Sequence, residues 1–190
     1  PMVILTPFSH GITKRIANED LSSFDYIFCW LGNTDLLVSI IKLIEDKMNL
    51  EHDVSEVGVQ IILLVEDGIR FYSSILPNLY KFVLKQSQEF STEALNAHQR
   101  TLRMRGRPKI VLARTYNEAI GIYEKYKNNI LGVITDVRFP RVERGEKDAL
   151  AGIKLCAAIR KEDPFVPLII QSSESENVSY AAKYLSLIHI

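Results

Sequence analysis

Two apolar runs that end in carboxylates decide the fold: Val59 to Asp67, VQIILLVED, and Ile130 to Asp136, ILGVITD. Each run is rich in Ile, Leu and Val and is long enough for one strand but not for a helix. Such continuous apolar runs are typical of strands that are buried on both faces of a parallel sheet. Glu66, Asp67 and Asp136 should therefore lie at strand carboxyl ends, the edge at which open parallel sheets bind their ligands.

Strand-like and helix-like segments alternate along the whole chain. The sequence predicts strands over 1–8, 25–31, 59–65, 109–114, 130–136 and 166–172. It predicts helices over 34–48, with Thr34 as the cap, and over 69–86, 91–105, 115–129, 152–161 and 177–184. This alternation predicts an α/β fold, a doubly wound parallel sheet with right-handed crossovers.

The helix predicted over 69–86 has apolar residues at helical spacing. We expect its core face to comprise Phe71, Ile75, Leu79, Phe82 and Val83. Pro77 predicts a kink or irregularity within this helix.

Composition places the chain among cytoplasmic globular proteins. Its 190 residues are 47% apolar, and its 23 basic and 23 acidic side chains balance, so no long-range field favours nucleic acid or a membrane. Two cysteines, Cys29 and Cys156, are too few for a disulfide framework or a metal cluster. The apolar stretches are far shorter than a membrane span of ~20 residues, and no signal peptide opens the chain. Four histidines show no ligand spacing: His10, His52, His98 and His189.

An internal repeat divides the chain into two units. PMVILTPFS from Pro1 and PLIIQSSES from Pro167 align without gaps, which places Thr6 opposite Ser172. We therefore expect one unit over 1–50, a polar linker over 51–58 and a second unit over 59–184.

Three carboxylates at one sheet edge would repel each other unless a divalent cation lay among them. Oxygen ligands of this kind suit Mg²⁺. A single strand-end Asp is more often a turn or helix cap, but the set of Glu66, Asp67 and Asp136 favours a metal site. Ser172 adds a hydroxyl at the end of another strand.

This constellation resembles the receiver domain of two-component response regulators. In that family an acidic pair ends the first strand, the phosphoacceptor Asp ends the third, a Thr or Ser ends the fourth and a Lys ends the fifth. Glu66 with Asp67, then Asp136, then Ser172 stand at the matching positions. Phe139-Pro140 and Gly152 also match a hydrophobic-proline step and the glycine that opens the third helix of the family.

The resemblance implies a flavodoxin-like sheet of strand order 2-1-3-4-5 and a switch rather than a metabolic enzyme. A histidine kinase or phosphotransfer protein would donate a phosphoryl group to Asp136, with Mg²⁺ held by Glu66, Asp67 and Asp136. Ser172 would be the switch hydroxyl that hydrogen-bonds the acyl phosphate.

Two departures from the family pattern stand out. Asp136 lies 69 positions beyond Asp67, so we expect a helical insertion near 87–107. Cys29 lies 23 positions after Thr6, and the same interval after Ser172 passes the chain end, so the second unit is interpreted as truncated before its fifth strand and the catalytic lysine as lying beyond the chain. Lys183, in the preceding predicted helix, is not assigned that role.

The first unit resembles the C-terminal half of a degenerate receiver. Thr6 stands at the switch position, and Cys29 or Trp30 replaces the lysine, which favours a packing or dimerisation role. The tandem order, with VEDGIRFYSSILP over 65–77 and RMRGRPKI over 103–110, is similar to the N-terminal regulatory region of proteins that carry a C-terminal phosphoenolpyruvate/pyruvate-binding domain. That likeness implies an output or phosphoenolpyruvate/pyruvate-binding domain outside this sequence.

The last six residues, LSLIHI over 185–190, match the translation of a common sequencing-library adapter, so we interpret them as a non-native tail. The alternative is an ordinary apolar strand or helix end.

Three other functions compete with a phosphorylated receiver. A pseudo-receiver would bind a partner without phosphorylation, as a regulatory module of a phosphoenolpyruvate synthase-like enzyme. A haloacid-dehalogenase-like phosphatase would need Asp-x-Asp after the first strand, where this chain has VEDG. RMRGRPK over 103–109 resembles an AT-hook core, but a basic helix end followed by a glycine stop is the preferred interpretation, because one such stretch makes few phosphate contacts.

Overall fold

A computed structural model of the chain describes residues 1–7, 23–92 and 106–172. In these ranges strands and helices alternate, which confirms the α/β class with a parallel sheet. The elements are β1 (Val3–Pro7), β2 (Tyr26–Trp30), α1 (Asp35–His52), β3 (Ile61–Val65), α2 (Ile69–Thr92), β4 (Lys109–Ala113), α3 (Tyr116–Tyr126), β5 (Ile130–Asp136), β6 (Phe139–Pro140), β7 (Lys147–Asp148), α4 (Ala151–Glu162) and β8 (Leu168–Gln171).

A four-stranded parallel sheet of order β4-β3-β5-β8 forms the centre. Numbered within this sheet, the described strands run 2-1-3-4; the five-stranded order and the truncation before a fifth strand remain predictions. β1 and β2 form a separate parallel pair, and β6 and β7 form a short antiparallel hairpin. Val65 of β3 pairs with Thr135 of β5, so these two strands end side by side.

Successive strand residues point to opposite sides of the sheet, and helices cover both sides. Leu64 packs into one cluster with Tyr72 and Leu76 of α2, and this cluster also contains Phe28 of β2 and Leu43 of α1. The neighbouring Leu63 and Val65 pack on the other side with buried residues of α3 and α4: Ala119, Tyr123, Leu155 and Ile159. The N-terminal elements therefore share a core with the sheet.

The buried face of α2 agrees only in part with the predicted one. Val83 is buried and Ile75 and Leu79 pack against the same cluster, as predicted, whereas Phe71 and Phe82 are 50% and 64% exposed. The other large side chains that this helix buries are Tyr72, Leu76 and Tyr80. Tyrosine can occupy these positions because each hydroxyl finds an acceptor: Tyr72 donates to the Ile27 carbonyl and Tyr80 to the Asp46 carboxylate. Pro77 lies inside α2, which continues to Thr92.

Most of the predicted linker over 51–58 is helical. α1 continues to His52, and a π-helical turn follows over Asp53–Val57 and ends at Gly58, whose φ of +68° suits glycine. Val54 packs on a buried cluster of Leu50, Ile61 and Val111, a tertiary contact that explains helix formation in a segment without apolar periodicity. The division into units over 1–50 and 59–184 remains a prediction.

The start of α1 also differs from the prediction. Thr34 is the N-cap residue, but its side chain makes no capping hydrogen bond. Instead, the Asn33 side-chain oxygen accepts a hydrogen bond from the Asp35 backbone N–H at 2.9 Å.

The structure describes residues 106–109 of the basic stretch over 103–109, and both basic side chains in that part are buried. Arg107 and Lys109 are 5% and 4% exposed. Arg107 pairs with Asp46, and the Lys109 ammonium lies 2.7 Å from an Asp53 oxygen. Side chains engaged in this way do not project into a DNA groove, so the described residues of this stretch do not form an AT hook.

Several predictions fall outside the described residues. These are the helices over 91–105, except its first two positions, and 177–184, the tail over 185–190, most of the insertion near 87–107, Lys183, and His10, His98 and His189. Among the described helices, none is long and apolar enough to cross a membrane.

Candidate functional site

The three candidate carboxylates lie together at one edge of the central sheet. Glu66 and Asp67 directly follow β3, and Asp136 is the last residue of the adjacent β5. One carboxylate oxygen from each lies within 4.8 Å of the others. The register of β3 and β5 creates this cluster because it brings two strand ends, distant in sequence, to the same level.

Glu66 is a buried acid, 5% exposed. Burial, together with the negative charges of Asp136 and Asp67, raises the pKa of Glu66 to about 7, although a hydrogen bond from the Gly68 N–H at 2.8 Å opposes the shift. A Cβ on Gly68 would lie 2.9 Å from the same Glu66 oxygen, so glycine leaves the space in which the carboxylate turns back onto the chain. The carboxylate is thereby held at the strand end rather than in solvent.

Asp136 is partly buried beside Glu66. Burial raises its pKa, the backbone N–H groups of Val137 and Arg138 oppose that rise, and the charge of Asp67 adds to it. The Arg138 N–H donates to Asp136 Oδ2 at 3.4 Å, a long contact. Burial first, and the negative charge of neighbouring acids second, thus raise the pKa of both Glu66 and Asp136.

Asp67 contributes an oxygen without a partner. Its Oδ1 is buried and accepts no hydrogen bond from the described part of the chain, whereas Oδ2 lies 2.6 Å from the Lys147 ammonium. A buried oxygen of this kind is costly unless a donor or cation satisfies it. Three clustered carboxylates with one such oxygen fit a hard divalent cation of the Mg²⁺ type, which prefers a few carboxylates and keeps several waters.

An open cleft of about 340 Å³ adjoins the carboxylate of Asp67. Its lining mixes charges of both signs: Asp67, Arg114, Thr115, Glu118, Pro140, Glu143 and Arg144. Of the three clustered acids, Asp67 is the one that lines this cleft.

Gly152 brings the start of α4 against the end of β5. Its N–H donates to the Val137 carbonyl at 3.0 Å, and a Cβ at this position would lie only 1.9 Å from the Asp136 carbonyl oxygen. No other residue type fits there without movement of the helix or the strand. The backbone of Asp136 is therefore fixed by contact with α4.

The predicted hydroxyl positions occupy different surroundings. Ser172 is exposed and follows Gln171, which pairs with Asp136 across β5 and β8. Thr6 is partly buried and pairs with Cys29 in the separate β1-β2 sheet. Burial raises the pKa of the Cys29 thiol, and the Cys29 N–H donates to the Ser73 hydroxyl at 2.9 Å. The roles of Ser172 and Thr6 remain predictions, as does a lysine beyond the chain end.

Lys147 is the charged neighbour of the site that sequence reasoning missed. It comes from the β6-β7 hairpin, in a loop that reads only as RFPRVERGEKDA. Phe139 of β6 is fully buried and fastens the hairpin to the core. Nothing in the local pattern of this charged loop distinguishes Lys147 from its basic neighbours.

The comparisons with known proteins gave one structural similarity. No protein-family model matches the chain, and no curated protein matches it. A solved structure described as a response regulator receiver domain protein from Clostridium thermocellum matches with a TM-score of 0.41 and 22% identity, over 66% of this chain and 75% of that one.

Proposed function

We propose that this chain is a receiver module of a phosphorelay, in which Asp136 accepts a phosphoryl group in the presence of Mg²⁺. The observation that supports this proposal most directly is the carboxylate cluster: oxygens of Glu66, Asp67 and Asp136 lie within 4.8 Å of one another at adjacent strand ends. A phosphoryl acceptor needs a carboxylate that a donor can reach, with positive charge beside it to neutralise the transferring oxygens.

All three carboxylates take part in the proposed transfer. An oxygen of Asp136 attacks phosphorus, the P–N bond of a donor phosphohistidine breaks, and the released imidazole nitrogen takes up a proton, which leaves an acyl phosphate on Asp136. Glu66, Asp67 and Asp136 itself would hold the Mg²⁺, whose charge would stabilise the phosphoryl oxygens. Gly152 contributes by fixing the backbone of Asp136 against α4.

The phosphoryl donor would be a histidine kinase or phosphotransfer protein. The cleft beside Asp67 supports an approach from this side, because Arg114 and Arg144 line it and carry charge opposite to that of a phosphoryl group. Ser172, at the end of β8, would hydrogen-bond the acyl phosphate and move towards it, and this movement would be transmitted to an output domain.

Phosphorylation by a small acyl phosphate tests the proposal. The full-length protein is incubated with acetyl phosphate and Mg²⁺ and then separated by phosphate-affinity electrophoresis. We expect a retarded band that Asp136→Asn abolishes and that Asp35→Asn retains, because Asp35 is an exposed acid at the start of α1, remote in sequence from the site. A band that persists in Asp136→Asn would contradict the assignment of the acceptor.

A pseudo-receiver that regulates a phosphoenolpyruvate synthase-like enzyme is the second candidate. The observation that favours it is the ion pair between Asp67 and Lys147, which neutralises one carboxylate of the cluster from within the chain. Absence of any retarded band in the wild-type protein, with Mg²⁺ present, would favour this candidate.

A further inference from the structure

We propose that Lys147 is a tethered cation that competes with the divalent metal ion for Asp67. Its ammonium lies 2.6 Å from Asp67 Oδ2, while Oδ1 of the same carboxylate is buried without a partner in the described residues. The inference rests on the metal site of the proposed function and adds a residue that controls its occupancy.

The hairpin that carries Lys147 is held close to the site through its first strand, β6. β6 begins three residues after Asp136, and its Phe139 is fully buried in the cluster that also contains Val65 and Ala113. Lys147 pairs with Pro140 in the antiparallel register. The backbone of Lys147 is therefore held near the acidic edge, and the side chain does not have to be recruited from a distant part of the chain.

The ion pair is half open to solvent, which makes it reversible. The Lys147 side chain is 47% exposed and that of Asp67 is 15% exposed. Exposed pairs of this kind add little stability, so a divalent ion with several ligands can displace the ammonium group. The ammonium charge also reaches the other two ligands, because it lowers the pKa of Glu66 and of Asp136.

Competition has a definite consequence for metal binding. A divalent ion that binds Asp67 through the unpartnered Oδ1 must tolerate the Lys147 ammonium on Oδ2, and an ion that uses both oxygens must displace it. Removal of that charge should therefore tighten metal binding, by about twofold to fivefold, the range expected from the loss of one partly exposed ion pair. If Lys147 served only to hold the hairpin in place, its removal would weaken metal binding or leave it unchanged.

The chain offers a matched control for this test. Lys154 makes an ion pair with Asp148 at the same distance, 2.6 Å, and its side chain is similarly exposed at 51%. Its partner Asp148 does not belong to the acidic cluster. Lys154→Gln therefore removes a positive charge from an ion pair of the same length and similar exposure, whose carboxylate is not one of the three candidate metal ligands.

Isothermal titration with Mn²⁺ and with Mg²⁺, at fixed pH and ionic strength, measures the affinities of the wild-type protein and of three variants. We expect Lys147→Gln to bind about twofold to fivefold tighter than wild type, and Lys147→Arg and Lys154→Gln to match wild type. Equal affinities of Lys147→Gln and Lys154→Gln, or weaker binding by Lys147→Gln, would overturn the inference while leaving the metal site intact. Absence of binding in all four proteins would overturn the metal site of the proposed function, and this inference with it.

Discussion

Asp46 and Arg107, 61 residues apart in sequence, form an ion pair that is closed off from solvent. Arg107 Nη2 lies 2.6 Å from Asp46 Oδ1 and Nη1 lies 3.1 Å from Oδ2, which is a bidentate arrangement. The Tyr80 hydroxyl and the Ile110 N–H donate to the same Oδ2, at 2.9 and 3.1 Å. One carboxylate thus ties α1 to α2, to β4 and to a residue shortly before β4.

Replacement of Asp46 by alanine should destabilise the fold strongly. The buried Arg107 guanidinium would lose its counter-charge, and the Tyr80 hydroxyl and Ile110 N–H would lose their acceptor. Removal of one partner from a buried pair costs about 3–5 kcal/mol. The change is measured as the free energy of unfolding in urea, followed by circular dichroism.

Glu45→Ala is the control for this prediction. Glu45 is the preceding acid on α1 and pairs with Lys42 at 2.7 Å, but its side chain is 43% exposed. A loss of about 0–1 kcal/mol is expected there. Equal losses of unfolding free energy in Asp46→Ala and Glu45→Ala would show that burial of the Asp46 ion pair is not the cause. The double variant Asp46→Leu with Arg107→Met, which removes both buried charges, should be more stable than Asp46→Ala; equal stability would contradict the same explanation.

The sheet and its acidic edge could be predicted from sequence because both depend on local patterns. The runs that became β3 and β5 are continuous and apolar, and the strand ends carry the acids directly. Once parallel strands are inferred, Glu66, Asp67 and Asp136 must lie at one edge. The α/β alternation follows from the same periodicity.

Contacts between distant segments could not be predicted in this way. Asp46 reads as an ordinary charge on an amphipathic helix, and only folding brings Arg107 to it. On α2, the prediction missed Tyr72 and Tyr80, because their rings are buried while their hydroxyls find acceptors elsewhere in the chain. Lys147 was missed for a similar reason, since its ion pair with Asp67 depends on a hairpin inside a charged loop.

Glu66 should make the metal-free protein less stable as pH rises. The pKa of Glu66 is about 7 in the folded state against 4.5 for an ordinary glutamate, so the folded protein binds more protons between these values. Stability therefore falls as pH increases from about 4.5 to about 7, by up to about 3 kcal/mol for this residue. Glu66→Gln should remove this part of the slope and be more stable than wild type at pH 8.

Urea unfolding at pH 5, 6, 7 and 8 in the presence of a chelator checks this expectation. Asp136, whose pKa is also raised, leaves some slope in the same direction in the Glu66→Gln variant. Glu51→Gln is the control, because the Glu51 side chain is 82% exposed. If Glu66→Gln followed the wild-type pH profile, the burial of an ionised Glu66 would not be the cause.

Mg²⁺ should bind more tightly at pH 8 than at pH 6. A Glu66 that holds a proton cannot offer both oxygens to the metal, and its pKa of about 7 lies between these two values. The metal-induced rise in Tm should accordingly be larger at pH 8, and Asp136→Asn should reduce it at both values. A rise in Tm that is the same at both pH values would contradict a role for Glu66 as a metal ligand.

Gly152→Ala should damage the site through the backbone of Asp136. The new Cβ would lie 1.9 Å from the Asp136 carbonyl oxygen, so α4 must move away from the end of β5. Overpacking of this kind costs about 1–3 kcal/mol.

Gly121→Ala is the matched control for Gly152→Ala. Gly121 lies in α3, and a Cβ added there would meet nothing within 4 Å, so alanine should instead stabilise the protein by about 0.5–1 kcal/mol. Thermal unfolding measures both changes, and phosphorylation by acetyl phosphate should slow in Gly152→Ala alone. A Gly152→Ala protein as stable as Gly121→Ala would show that α4 moves freely, and that contact with Gly152 does not fix the position of Asp136.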